Sequence, residues 1–248
     1  MAKTAVIIPA RFASTRLPGK PLLSVAGKPL VQHVWERCCR AEGIDQVIVA
    51  TDDMRIAKVA FDFGAEVSVT SRRHTTGTDR VAEVARRMNG FDLILNVQGD
   101  EPLVPPDLVT KLATAVREDR EVMMATVAAP FAKNDDPTNP NLVKVVMDAR
   151  DRALLFSRSP IPYLRDRPPG LKLWRHIGMY AYRRPFLLEY VGLPRPPLEK
   201  AESLEQLRAL FYGKRSGVVK TRAAHPGVDT RDDLARVEKL FVKVTRPC

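Results

Sequence analysis

The sequence predicts an α/β protein of three layers, a mostly parallel mixed sheet between helices, with a small antiparallel extension. Three observations predict it. Short apolar runs alternate with stretches of helical periodicity over about residues 3 to 100. Beyond them, strand-like runs recur with few helices between, as an antiparallel extension requires. Finally, 248 residues that are 45% hydrophobic can bury a sizeable core. No long linker, repeat or low-complexity tract interrupts the chain, so residues 1–248 read as one domain.

The elements follow in order. "TAVII" reads as a buried strand, and "PLVQHVWERCC" as a helix with Val31, Val34, Trp35 and Cys38 inward. "QVIVAT" is a strand; "MRIAKVAFDFG" places Ile56, Val59, Ala60 and Phe63 on one helical face, with Gly64 able to cap the end. "EVSVT" is a short strand, "TGTDRVAEVARRM" a helix with Val81, Val84, Ala85 and Met88 inward, and "DLILNVQ" the most apolar strand. "VMMATVAAP", "LVKVVMD", "ALLFSRS" and "IGMYAYR" read as further strands. "SLEQLRALFYG" (Leu204, Leu207, Phe211) and "RDDLARVEKLF" (Leu234, Val237, Phe241) read as late amphipathic helices. Prolines cluster at 102–106, 168–169 and 194–197, and "RDRPPGLKLW" is the expected mobile segment.

Composition narrows the function. No apolar run approaches the roughly 18 residues of a membrane span, and the N-terminus does not read as a secretory signal, so a cytoplasmic enzyme is expected. Three cysteines (Cys38, Cys39, Cys248) form no disulfide framework or metal pattern, and four histidines show no HExxH. Any metal should therefore be a hard one held by carboxylates. The net charge of +11 invites a nucleic-acid partner. But the cations are dispersed and aromatics are only 6%, so a small polyanion explains the excess better.

Three stretches could carry chemistry. "PARFASTRLPGKPL" runs from a strand end toward a helix and packs Arg11, Arg16 and Lys20 into ten residues, a cationic cradle suited to a polyphosphate, although the glycines of a Walker A loop are missing. Solvated loop cations are the plainer alternative. "NVQGDEP" carries Asp100 and Glu101 at the carboxyl end of an apolar strand, at the same sheet edge, where oxygen ligands suit Mg²⁺. On these residues alone the helix-cap reading leads. In "HPGVDTRDDL", Asp229 or Thr230 could cap the last helix; if the fold returns Asp229 beside Asp100, the two carboxylates could hold one or two Mg²⁺ ions against a triphosphate. Arg158 stands at a strand end, His176 and Tyr180 on one face of a strand, and Glu205 and Gln206 on a helix, where a packed or surface role is the ordinary one.

Taken together, the stretches "IIPARFASTRLPGKPL", "HTTGTDR", "NVQGDEP", "NPNLVKVV", "FSRSPIPY", "RHIGMYAYR", "LEKAESLEQLR" and "GVDTRDDLARV" make the chain resemble the 3-deoxy-manno-octulosonate cytidylyltransferases, the CMP-Kdo synthetases. The opening stretch is shared with sialic-acid activating enzymes; the His176 and Glu205 segments point to Kdo. The resemblance implies a nucleotide-diphospho-sugar transferase fold, a homodimer, and the reaction of CTP with Kdo to give CMP-Kdo and diphosphate for lipopolysaccharide biosynthesis. It assigns Pro9, Ala10, Arg11, Arg16, Lys20, Thr76, Gly77 and Arg80 to the nucleotide. It assigns Asp100 and Asp229 to Mg²⁺, with Lys20 joining them in catalysis, and Gln98, Arg158, His176, Tyr180, Glu205 and Gln206 to the sugar. The chain departs from the family pattern at Arg73, where Asp usually precedes the His, and at Thr76, where Ser is usual.

The expected mechanism is charge neutralisation and positioning, because an anionic sugar acid must meet a still more anionic triphosphate. The rivals are activation of another acidic sugar, such as a sialic acid, a nucleic-acid-binding protein, and a silent sugar-nucleotide sensor.

Overall fold

The computed structural model describes residues 2–13, 17–166 and 168–245, with side chains described as far as residue 241. The chain gathers into two compact units, residues 1–110 with 225–248 and residues 111–224.

The first unit opens with β1 (Thr4–Ala10). A 3₁₀ turn (Lys20–Leu22) and a two-stranded antiparallel hairpin, β2 (Ser24–Val25) and β3 (Lys28–Pro29), lead into α1 (Leu30–Cys39). Then follow β4 (Gln46–Thr51), α2 (Met54–Asp62), β5 (Glu66–Val69), α3 (Gly77–Arg87) and β6 (Leu93–Asn96). Within this unit the strands run parallel in the order β6-β1-β4-β5, with Ile7 beside Ile48 and Thr4 beside Leu93. The chain thus winds outward from β1 through β4 to β5, then returns to the other side of β1 to lay down β6. Right-handed crossovers in opposite directions place α1 and α2 on one face and α3 on the other. The gap between β1 and β6, where the winding reverses, is the place such sheets bind ligands.

The helix α4 (Pro106–Glu118) carries the chain into the second unit. The proline cluster before it reads as loop, but Pro106 is its first residue, a position where the missing N–H costs nothing.

The second unit contains β7 (Val122–Pro130), β8 (Lys144–Met147), β9 (Ala153–Ser157), β10 (Trp174–Arg183), α5 (Arg184–Tyr190), α6 (Pro197–Glu202), α7 (Leu207–Phe211) and β11 (Arg215–Lys220). β11 is parallel to β7; β7 and β10, β10 and β8, and β8 and β9 pair antiparallel, which is the expected extension. Ala128, Val145, Phe156, Leu204, Leu207 and Val218 form its core. The helix expected across "SLEQLRALFYG" starts only at Leu207, because Ser203 takes a left-handed conformation (φ 51°) that ends α6. Leu204 and Leu207 are buried as expected; Phe211, expected inward, closes the short α7 and is 55% exposed.

The chain re-enters the first unit at His225 and ends in α8 (Arg231–Thr245). Val228 and Val237 are buried with Leu17, Val25 and Leu30, and Phe241 packs against them, so the segment before α8 is pinned by apolar contact. Cys38 is a buried free thiol and Cys39 an exposed one; Cys248 lies outside the described residues.

Candidate active site

β1 ends at Ala10 and β6 at Asn96, so the segments that follow both emerge at the carboxyl edge of the parallel strands. Their approach is close enough to dictate a glycine: a Cβ on Gly99 would lie 3.1 Å from the Pro9 carbonyl oxygen. Gly77, the first residue of α3, packs against the Pro9 ring and the Gln98 amide. A third segment arrives from the far end of the chain. The Val228 amide donates to the Asp100 carbonyl at 2.9 Å, and a Cβ on Gly227 would lie 3.3 Å from the same oxygen.

This convergence brings Lys20, Asp100 and Asp229 together. The Lys20 Nζ donates to Asp100 Oδ2 at 2.6 Å, to the Val228 carbonyl at 2.9 Å and to Asp229 Oδ1 at 3.1 Å. Burial works against the lysine's charge, but the two carboxylates outweigh it and raise its pKa. The ammonium is largely buried, whereas Asp229 is about half exposed, so the cluster opens outward. It forms part of the wall of a cleft of about 300 Å³ lined also by Pro9, Ala10, Arg11, Gln98 and Gly99.

Around the cleft the remaining nucleotide candidates differ in freedom. Arg11 is exposed and donates from Nη1 to the Thr75 carbonyl at 3.3 Å. Thr76 caps α3, its hydroxyl accepting from the Asp79 amide at 3.1 Å. That retained hydroxyl is how threonine serves where the family pattern has serine. Arg80 is buried, bonded to the Thr70 hydroxyl and paired with Asp52 at 3.3 Å. Arg16 lies outside the described residues. Gln98 donates to Asn96 Oδ1 at 2.8 Å, which fixes its amide.

No group of three His, Cys, Asp or Glu side chains gathers to hold a metal among the described residues. Two carboxylates at the wall of this cleft do, however, match the usual Mg²⁺ donor set, in which one or two carboxylates share the ion with substrate phosphates and water.

The other sugar candidates stand in the second unit. Arg158, at the end of β9, donates through Nε to the Glu202 carbonyl at 2.7 Å and through Nη1 to the Pro140 carbonyl at 2.9 Å. Its backbone is held as well, since its own amide donates to the Glu202 carboxylate at 2.8 Å and Lys144 donates to its carbonyl. Lys144 is fully buried, and burial lowers its pKa. His176 and Tyr180 sit on β10 with ring centroids 5.7 Å apart, and the Tyr180 hydroxyl donates to Gln206 Oε1 at 3.3 Å. Burial pulls the imidazole of His176 down to about 3; burial and then Glu205 push the Tyr180 phenol up. Gln206 is buried, whereas Glu205 is partly exposed with its carbonyl accepting from the Tyr190 hydroxyl.

Sequence reasoning missed Lys144, Glu202 and Thr126 as supports of these groups. A signal existed for two of them: Thr126 and Lys144 are polar residues inside otherwise apolar strand runs, where a buried hydrogen-bonding duty is the usual reason.

A strand-end cleft of this polarity, at the reversal point of a parallel sheet, stands where such folds bind ligands and suits an anionic one. A cytidylyltransferase family model matches residues 5–216. The 3-deoxy-manno-octulosonate cytidylyltransferase of Syntrophotalea carbinolica is 50% identical over 246 residues, 96% of this chain and 98% of its own. That of Geobacter sulfurreducens is 50% identical over 245 residues, 94% of this chain and 98% of its own. The structure of CMP:2-keto-3-deoxy-manno-octonic acid synthetase complexed with CTP superimposes with a TM-score of 0.94, is 42% identical, and covers 98% of this chain and 100% of that one. The chain belongs to the 3-deoxy-manno-octulosonate cytidylyltransferase family. Among the described residues, no helix is long and apolar enough to cross a membrane.

Proposed function

We propose that the chain activates Kdo: the anomeric oxygen of the sugar acid attacks the α-phosphorus of CTP, the α–β phosphoanhydride bond breaks, and CMP-Kdo and diphosphate form. The observation that carries this reading is the Lys20 ammonium held between Asp100 and Asp229 at the strand-end cleft, in a chain half identical to named Kdo cytidylyltransferases.

Each residue has a task set by its charge. Arg11 and Lys20 neutralise the triphosphate and the charge that builds on departing diphosphate, as Arg16 does in the family assignment. Asp100 and Asp229 supply the anionic oxygens for Mg²⁺, which when bound draws negative charge from the phosphates and lowers the pKa of a coordinated hydroxyl. No dedicated protein base is then required. The Arg158 guanidinium pairs with the sugar carboxylate, and Gln98, His176, Tyr180, Glu205 and Gln206 meet its hydroxyls. Pro9, Ala10, Thr76 and Gly77 shape the nucleotide wall, while Arg80 gives it positive charge from behind. We read the working form as a cytoplasmic homodimer serving lipopolysaccharide biosynthesis; light scattering tests the dimer.

The deciding experiment mixes the purified protein and Mg²⁺ with each ribonucleoside triphosphate and either Kdo or a sialic acid, and measures diphosphate release. Release with CTP and Kdo alone is expected. Release only with a sialic acid would move the substrate assignment; silence throughout, with salt-sensitive binding of polynucleotide, would overturn the reading.

A further inference from the structure

We propose that Thr126 is a positioning residue for the sugar pocket: its hydroxyl fixes neutral His176 as the Nε2–H tautomer, leaving Nδ1 to accept a hydrogen bond from a substrate hydroxyl. The proposal rests on the reading of His176 as a pocket residue and states which way its hydrogen bond runs.

A count of protons around the Thr126 hydroxyl fixes the tautomer. Thr126 is fully buried in β7, opposite the point where β10 slips register between Ile177 and Tyr180. Its Oγ1 faces three groups: the Met179 carbonyl at 2.8 Å, the Ile177 carbonyl at 3.3 Å and His176 Nε2 at 2.8 Å. A hydroxyl has one proton to give, and both carbonyls can only accept. The proton therefore goes to the bulge, principally to Met179, and a lone pair of Oγ1 faces the imidazole. Nε2 must carry the hydrogen and donate it. The opposite tautomer would turn two lone pairs toward carbonyl oxygens in a buried place, where an unmade hydrogen bond costs most.

The ring is held neutral by its surroundings, since the edge-on Phe156 ring lies 5.1 Å away and Tyr180 5.7 Å away, and burial disfavours the charged form. Nδ1 has no hydrogen-bond partner among the described residues. Beyond Tyr180, the Gln206 amide uses its oxygen on the phenol, while its Nε2 is buried without a partner. The row thus offers one unused acceptor, the complement of a ligand hydroxyl, beside a buried donor without a partner. Thr126 sets the sign of the first.

The test is the nitrogen chemical shifts of ¹⁵N-labelled histidines in the free enzyme, with His176→Gln to assign the signals, alongside kinetics of Thr126→Val and Thr126→Ser. The proposal expects the Nε2–H tautomer in the parent and in Thr126→Ser, and a mixed or reversed tautomer in Thr126→Val. It expects a KM for Kdo raised about tenfold in Thr126→Val, the scale of one hydrogen bond, with kcat within about threefold and near-parent values in Thr126→Ser. An Nδ1–H signal in the parent would overturn it. So would a KM unchanged in Thr126→Val while His176→Gln raises it, an outcome that leaves the pocket reading standing. A KM unmoved in His176→Gln would overturn the pocket reading, and this proposal with it.

Discussion

The amide of Val228 donates to the carbonyl of Asp100 across 2.9 Å, and this backbone bond sets Asp229 beside Asp100. The two carboxylates then share one ammonium, that of Lys20. Neutralising either carboxylate while keeping its shape removes a charge that the proposed reaction uses. Asp100→Asn and Asp229→Asn are each expected to lower kcat by about 10²-fold or more, as loss of one key electrostatic group typically does. Steady-state rates across a Mg²⁺ titration check this; near-normal rates in both variants at saturating Mg²⁺ would remove the metal assignment.

The opening loop is braced from α2, and the brace is sensitive to acid. Asp53 caps that helix by accepting from the Arg55 amide at 2.9 Å, and its carboxylate also holds the Arg55 guanidinium, which lies 3.4 Å over the Phe12 ring. The Arg55 hydrogen bonds pull the Asp53 carboxyl from its ordinary 3.8 to about 2. A depressed carboxyl contributes stability that is present above its unfolded pKa and is lost as pH falls through the folded one. Asp53→Ala should therefore cost about 1 kcal/mol at neutral pH, the usual worth of such a cap. The gap from the parent should close between about pH 4 and pH 2. Denaturant unfolding of both proteins over that range measures it; a gap that stays constant with pH would mean that Asp53 acts through packing instead.

How much of this was legible beforehand varies with the range of the cause. The strands and helices around the cleft follow from local periodicity, so β1, β4, β5, β6 and α3 stand where the apolar pattern placed them. Asp100 and Asp229 were readable as residues with a choice of duties, cap or ligand. Their meeting was not, because it depends on a bond between distant segments and on apolar anchoring of Val228. α4 was missed because prolines signal loops and helix starts alike, and α7 was misplaced because nothing local announces that Ser203 turns left-handed. Thr126 acts through His176, Ile177 and Met179, partners chosen by strand pairing that no local window contains.

The segment that carries Glu205 and Gln206 depends on a buried ion pair. Arg208 donates to both oxygens of Glu199, at 2.7 and 2.5 Å, and its guanidinium lies 4.7 Å over the Tyr190 ring. Both partners are almost fully buried. Removing Arg208 leaves the buried Glu199 carboxylate with only the longer, half-exposed contact to Arg195 at 3.7 Å, so Arg208→Leu should cost about 3 kcal/mol or more. Replacing both partners by apolar residues of similar size should cost much less. Urea unfolding of the two single variants and the double variant gives the comparison. An additive double variant would show that the pair is not coupled.

The two cations proposed to meet the substrates should separate kinetically, because each is assigned a different charge. Lys20 stands with the carboxylates at the strand-end cleft; under the proposed function charge moves there as diphosphate leaves, and the lysine's interaction then strengthens in the transition state. Arg158 is fixed by two backbone carbonyls, and under the proposed function it pairs with a sugar carboxylate whose charge does not change during the reaction. An interaction equally strong before and during the chemical step changes KM alone. Lys20→Ala is thus expected to lower kcat by about 10²-fold with little change in the KM for Kdo, and Arg158→Ala to raise that KM by about tenfold or more with kcat nearly kept. Initial rates over a Kdo series at saturating CTP distinguish the two. The reverse pattern would exchange the phosphate and sugar ends of the site.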